Sequence, residues 1–499
     1  MNLFFGELKL AKGTKLNIEG LEALGAKRLA QLLLDAASST PVIKRSLVTE
    51  LAATGGPKQA AASIRKRLRT LAKSRTFVDW QNRGTLLDDL QTQVRLIDEL
   101  VAVKDPGEAI DLLWEFAALA NAIFERCDDS SGKIIGVFRS AVQLLSEIAV
   151  RATPKNTETL VLRTSHALLN NGYGQFDDII GNLQAALGPA GLAELKASMK
   201  AVMAEPKEKI PEQERKVFGW SAQGALYEDD IRHSSRKRSA EMALRDIADS
   251  EGDADTFAAS YDAKTRKMPG IAADIAERLL KAGRPEEALT ALEAVDGDFD
   301  TSGHTDWLDY FQPDFSWEDS MIATLDALGR SKDAQDLRWQ VFERHLSILH
   351  LRGYLKKLAD FEDVEAEERA LAFVENHEIA EMALWFLVKW PALNHAARLV
   401  LRYAGKWDGN GYESLSHAAD VLSGRHPLAA TILLRAMIDF TLQNARSTRY
   451  KHAARHLLEC SSLASQIPDF QGQKNHENYL QSLQVVHSKK ASFWDNVTP

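Results

Sequence analysis

Gly283-Arg284-Pro285-Glu286-Glu287-Ala288 returns as Gly329-Arg330-Ser331-Lys332-Asp333-Ala334 and again as Gly424-Arg425-His426-Pro427-Leu428-Ala429. Each copy has Gly-Arg, three residues, and then a small alanine where a second helix begins to pack. Glycine can take the left-handed conformation that ends one helix, and proline is tolerated in the first turn of the next. In the first copy Glu286 and Glu287 also complement the positive end of the new helix. Gly283 and Gly329 stand 46 residues apart, and Gly329 and Gly424 stand 95 apart, close to two such units. A period of this size built from helix pairs predicts an α-solenoid. The expected fold is therefore all-α, a stack of antiparallel helical hairpins, tetratricopeptide-like in its C-terminal part.

The stripes around the first turn agree. Ile271, Ile275 and Leu279 recur at four-residue steps, answered across Gly283 by Leu289, Leu292 and Val295, while Asp274, Glu277, Arg278 and Lys281 fall opposite. A pair this short is marginal in water alone and has to bury its stripe against neighbouring pairs.

Further out, helices are expected through 18–152 and 157–203. Asp105 is a cap, Pro106 takes the first helical position, and Glu108 completes a capping box. Ile110, Leu113, Ala117, Ala120 and Ile123 then form a stripe for burial. The proline-bearing stretch Glu205-Pro206-Lys207-Glu208-Lys209-Ile210-Pro211-Glu212 reads as a boundary. The expected organisation is an N-terminal helical domain over 1–204, a linker over 205–218 and a helical-repeat domain over 219–499. Aromatics gather in 304–317, with Trp307, Tyr310, Phe311, Phe315 and Trp317.

Composition bounds the chemistry. The chain has 499 residues, only 14 of them proline, and its 45% apolar content is ordinary for a soluble protein. No sustained apolar–polar alternation calls for a sheet. Two cysteines, Cys127 and Cys460, build neither a disulfide framework nor a cysteine-rich zinc module. The opening Met1-Asn2-Leu3-Phe4-Phe5-Gly6 is too short an apolar burst for a signal peptide, and no stretch reads as a membrane span. A cytoplasmic location is expected.

Much of the chain resembles an uncharacterised all-helical bacterial family. The likeness runs through 26–52, Ser74-Arg75-Thr76-Phe77-Val78-Asp79-Trp80, 110–116, Asp128-Asp129-Ser130-Ser131-Gly132 and Gly174-Gln175-Phe176-Asp177. It continues through 338–350, 364–370, His426-Pro427-Leu428-Ala429-Ala430, 449–457 and Ser492-Phe493-Trp494. It implies a fold rather than an activity. Residues 450–463 and 479–493 also resemble the helical repeat region beside SWIM-type zinc fingers. The finger needs three cysteines and a histidine, so with two cysteines in all it is absent here.

The strongest charge feature is 51–78, which contains no Asp or Glu. Ile64, Leu68 and Leu71 make a buried stripe there, beside a cationic row of Arg65, Arg69 and Lys73 at four-residue steps. The row could face solvent and pair with acids such as Asp88 and Asp89, dock an acidic partner, or neutralise nucleic-acid phosphates. The first reading leads, because the net charge of −9 argues against a surface built for nucleic acid.

His452, His456 and Cys460 share one helix face, but about 12 Å along the axis separates the ends, so at most His452 and His456, or His456 and Cys460, could share a metal with ligands from elsewhere. Asp128-Asp129-Ser130-Ser131-Gly132 has the wrong oxygen spacing for a calcium loop and reads as helix termination with recapping by Asp129 or Ser130. The run of Asp360, Glu362, Asp363, Glu365, Glu367 and Glu368 reads as an acidic helix start. There is no Gly-x-Ser-x-Gly elbow and no phosphate loop. No enzyme activity, cofactor or metal is expected. The expected role is a scaffold or adaptor for a protein or peptide, with a nucleic-acid-associated protein using the Arg65, Arg69 and Lys73 row as the first alternative and an enzyme with an unrecognised site as the second.

Overall fold

The computed structural model describes residues 17–79, 82–152, 157–207, 210–221, 224–295 and 314–497. It is all-α apart from one antiparallel hairpin, Val217–Ser221 with Gly224–Tyr227, which holds the only strands among the described residues. The chain divides into two compact units, Met1–Asp262 and Ala263–Pro499. No helix among the described residues is long and apolar enough to cross a membrane.

In the first unit the helices Pro57–Lys73, Pro106–Ala117, Lys133–Arg151 and Ile179–Ala204 surround one core. Ile64, Leu68 and Leu71 are buried as the spacing requires. The Asp105 carboxylate accepts from the Glu108 N–H at 3.1 Å, with Pro106 at the first position. Leu113, Ala117, Ala120 and Ile123 are all fully buried, so the stripe runs on from Pro106–Ala117 into the short helix Ala120–Phe124. The Asp128–Gly132 break is a recap: the Asp129 carboxylate accepts from the Ile134 and Ile135 N–H groups at 3.0 and 2.9 Å.

The boundary differs from the expected linker at 205–218. The helix Glu228–Glu251 packs along Ile179–Ala204, and its Ala240, Ala243 and Ile247 join the core of the first unit. Residues on both sides of the proline-bearing stretch thus belong to one body, and the division falls at Asp262.

In the second unit helices pair across short turns. Pro269–Lys281 packs on Pro285–Glu293, Ser316–Ala327 on Ser331–His345, Ala380–Lys389 on Leu393–Arg402, and Tyr412–Ser423 on Pro427–Gln443. Tyr450–Ala464 and His476–His487 follow. The first two Gly-Arg turns are alike. Gly283 and Gly329 both have φ near +73°, where a side chain would be strained. Arg284 N–H donates to Leu279 and Arg330 N–H to Leu325, each at 2.9 Å, the six-to-one bond of a Schellman stop. Each arginine then reaches an acid three residues on, Arg284 to Glu287 and Arg330 to Asp333, both at 2.6 Å.

The third copy departs from this pattern. Gly424 is right-handed at φ −73°, His426 is the cap, and the helix opens at Pro427, one residue later. Ala430, fully buried, therefore takes the place held by Ala288 and Ala334, with Ala429 beside it at 2% exposure. Because Ala288 has no exposed surface, Ala288→Phe should overpack the first hairpin and cost about 2 kcal/mol. An unshifted urea midpoint would mean the pocket around it can open freely. Of the aromatic stretch, 304–313 lie outside the described residues; Trp317 donates its indole N–H to the Leu292 carbonyl at 3.2 Å.

Candidate functional site

The basic row does not act as a unit. Arg65 is held by two acids, Glu108 at 2.8 Å and Glu115 at 2.7 Å. Burial works against its charge, but those hydrogen bonds outweigh it and raise the guanidinium above its ordinary value. Asp89 is taken by Arg67, at 2.9 Å from its Nε, and by Arg45 at 3.0 Å, not by the row. Arg69 and Lys73 stand exposed, and no described acid pairs with either. Two free cations on one helix face remain of the three.

On the His452, His456 and Cys460 face the two histidines pack against Tyr412. The Tyr412 hydroxyl lies 3.3 Å from His452 Nδ1 and accepts from Arg455 Nη2 at 3.2 Å. Its ring stacks on His456, with centroids 5.4 Å apart and planes 16° from parallel. Burial, then the nearby Arg455 and His452, push His456 down to about 4, so a neutral imidazole backs the phenol ring. Cys460 is fully buried one turn further on, and burial pushes its thiol up to about 12.

Tyr412 opens the helix Tyr412–Ser423 and so stands at the wall of an open groove of about 760 Å³. Trp385 and Lys389 come from Ala380–Lys389, His417 lies one turn beyond Tyr412, and Arg449 and His452 come from the start of Tyr450–Ala464. Arg449 donates to the Asn410 side chain at 3.1 Å, tying the turn before Tyr412 to the far wall. Trp385 is 43% exposed although its neighbours Leu384, Phe386 and Leu387 are core. Lys389 and Arg449 face one acid in this lining, Glu413. An exposed indole, a braced phenol and surplus positive charge form the kind of surface that anchors a peptide by its aromatic or acidic side chains.

Neither Trp385 nor Tyr412 was expected from the sequence. Trp385 sits inside Ala383-Leu384-Trp385-Phe386-Leu387-Val388, which reads as continuous core. It lines the groove beside residues of Tyr412–Ser423 instead of joining the core.

One further polar string needs a reading. Ser347 Oγ lies 2.7 Å from His350 Nδ1, and His350 Nε2 lies 3.2 Å from Asp319 Oδ1. The order suggests a nucleophile, base and acid, but Ser347 is the cap of Ile348–Leu355, and Ser347 and His350 are only 8% and 5% exposed. Burial lowers His350, which keeps the imidazole neutral as a partner for the capping hydroxyl. The string is a packing device.

No curated protein matches the chain. The chain belongs to the family described as a family of unknown function, DUF6880, whose model matches residues 11–496.

Proposed function

We propose that the protein is an adaptor whose second unit, a tetratricopeptide-like α-solenoid, holds an acidic peptide segment of a partner protein in the groove around Trp385 and Tyr412. The observation that carries this reading is the groove itself, about 760 Å³ and open, lined by two aromatic platforms and by the cations Lys389 and Arg449 from separate elements. In helical-repeat proteins the first helices of successive pairs line the binding surface. The groove draws on three such helices, Ala380–Lys389, Tyr412–Ser423 and Tyr450–Ala464. Aromatic anchors carry affinity, and complementary charge carries on-rate and selectivity.

A nucleic-acid role through the first unit is the second reading, favoured by the unpaired Arg69 and Lys73. One experiment separates the two. Partners are recovered with the full chain from its native cell, and the recovery is repeated with Trp385→Ala/Lys389→Glu and with Arg69→Glu/Lys73→Glu. All four side chains are at the surface, so both variants should fold. The groove variant should weaken a protein partner by at least about 30-fold, and the basic-row variant should leave it unchanged. Loss of a salt-sensitive RNA or DNA complex in the basic-row variant alone would replace the adaptor reading.

A further inference from the structure

Pro427–Gln443 buries an arginine whose surroundings do not match its charge. Arg435 is 8% exposed. Its Nη1 donates to the Lys474 carbonyl at 2.6 Å, and the guanidinium lies 4.3 Å from the Tyr479 ring centre and 5.7 Å from that of Phe470. Nε and Nη2 are buried with no hydrogen-bond partner. The nearest acid on the same helix, Asp439, accepts instead from the Tyr479 hydroxyl at 2.8 Å. Burial raises the Asp439 carboxyl, against the pull of that hydrogen bond and of Arg435. Tyr479 is raised well above its ordinary value by burial and by Asp439, and the Cys460 thiol is neutral for the same first reason. The guanidinium is thus in direct contact with a carbonyl, two rings and a thiol, while the nearest carboxylate on its helix is engaged by Tyr479.

Such a charge is costly unless something pairs with it. Arg435 and Asp439 both line a cavity of about 550 Å³, which Asp408, Lys474, Ser482 and His487 also line. That volume lies within the range of small-molecule pockets, about 300–1,000 Å³. The unpartnered Nε and Nη2 form one edge of the guanidinium, and this edge takes two oxygens of a carboxylate or phosphate side by side. One hydrogen bond to an oxygen, from Nη1 to the Lys474 carbonyl, leaves that edge without an oxygen partner.

We propose that this cavity binds a small anion bearing a carboxylate or phosphate group, with Arg435 as its buried cation. The site is separate from the groove around Trp385 and Tyr412, with which it shares no lining residue. Peptide binding can fail while anion binding stands, and the reverse.

The test is calorimetric titration of the full chain with inorganic phosphate, citrate and adenosine monophosphate, with sodium chloride holding the ionic strength constant. At least one of the three should bind saturably with a Kd below about 1 mM. Arg435→Gln should weaken that binding about 30-fold. Val486 lines the same cavity and is 70% exposed, so it can be changed without disturbing the core. Val486→Glu should weaken the anion and Val486→Lys tighten it, each about 5-fold. If Arg435→Gln does not fold, the opposite shifts at Val486 decide the matter. No saturable binding by any of the three anions would overturn the proposal, as would binding that ignores both charge changes at Val486. Full affinity in a folded Arg435→Gln would do the same.

Discussion

Gly409→Ala should lower the stability of the protein by about 3 kcal/mol, more than the methyl group alone suggests. A Cβ at this position would stand 2.0 Å from the Ala436 carbonyl oxygen, 2.6 Å from its carbon and 2.7 Å from Phe440 Cβ. Two of those three atoms are helix backbone in Pro427–Gln443 and cannot swing aside as a flexible side chain would. The turn cannot retreat easily either, because the buried Trp407 donates its indole N–H to the Val400 carbonyl at 3.2 Å. For a unit of this size the loss corresponds to a fall in Tm of roughly 6–12 °C. Calorimetry of the full chain reads it directly, and a Tm within 1 °C or so of the parent would mean the turn yields at little cost. The same turn supplies Asn410 and Gly411 to the groove and Gly405 and Gly409 to the cavity. The substitution should therefore weaken both ligands together, whereas the surface variants weaken one at a time.

What could be read from the sequence was local. The caps at Asp105 and Asp129, the stripe Ile64, Leu68 and Leu71, and the Gly-Arg turns each depend on residues within about two helical turns. The likeness to an uncharacterised helical family rested on many such segments, and the family match over 11–496 bears it out. Where the reading slipped, the deciding contact was distant or ambiguous. In the third turn Arg425-His426-Pro427 carries one residue more before the proline, and a proline can open a helix at either register. The hairpin Val217–Ser221 and Gly224–Tyr227 lacks the alternation of a half-buried strand, since Phe218 and Trp220 are both exposed, at 70% and 79%. Glu228–Glu251 is so polar that its four buried residues, Ala240, Ala243, Ile247 and Ala248, do not announce which body it joins. The groove was hidden for a related reason. Trp385, Tyr412 and Arg449 lie on three separate elements, and an exposed tryptophan in an apolar run cannot be told from a core one.

Glu375 closes the helix Glu362–Glu375 at 6% exposure. Three basic side chains from Leu393–Arg402 converge on it: Arg398 and Arg402 at 2.8 Å and His395 at 2.9 Å. Arg402 also donates to the Glu375 backbone carbonyl at 2.9 Å, so the cluster both neutralises the carboxylate and caps the helix end. Glu375→Ala should cost about 3 kcal/mol, toward the lower end for breaking a buried pair. It is not larger because Arg398 and Arg402, at 54% and 46% exposure, can turn back to water. The pH dependence has a definite sign. Burial alone would push the Glu375 carboxyl up, but the hydrogen bonds from Arg398 and His395 outweigh it and hold the group below its ordinary value. A carboxylate depressed in the folded state contributes stability that is complete above its unfolded value, about 4.3, and is lost as the pH falls through the folded value. The stability gap between the parent and Glu375→Gln should therefore stay flat from about pH 7 to pH 5 and close below about pH 4. Urea unfolding at a series of pH values reads that gap. A gap that widened on acidification would mean that Glu375 is protonated in the folded protein and that the two arginines are held by something else.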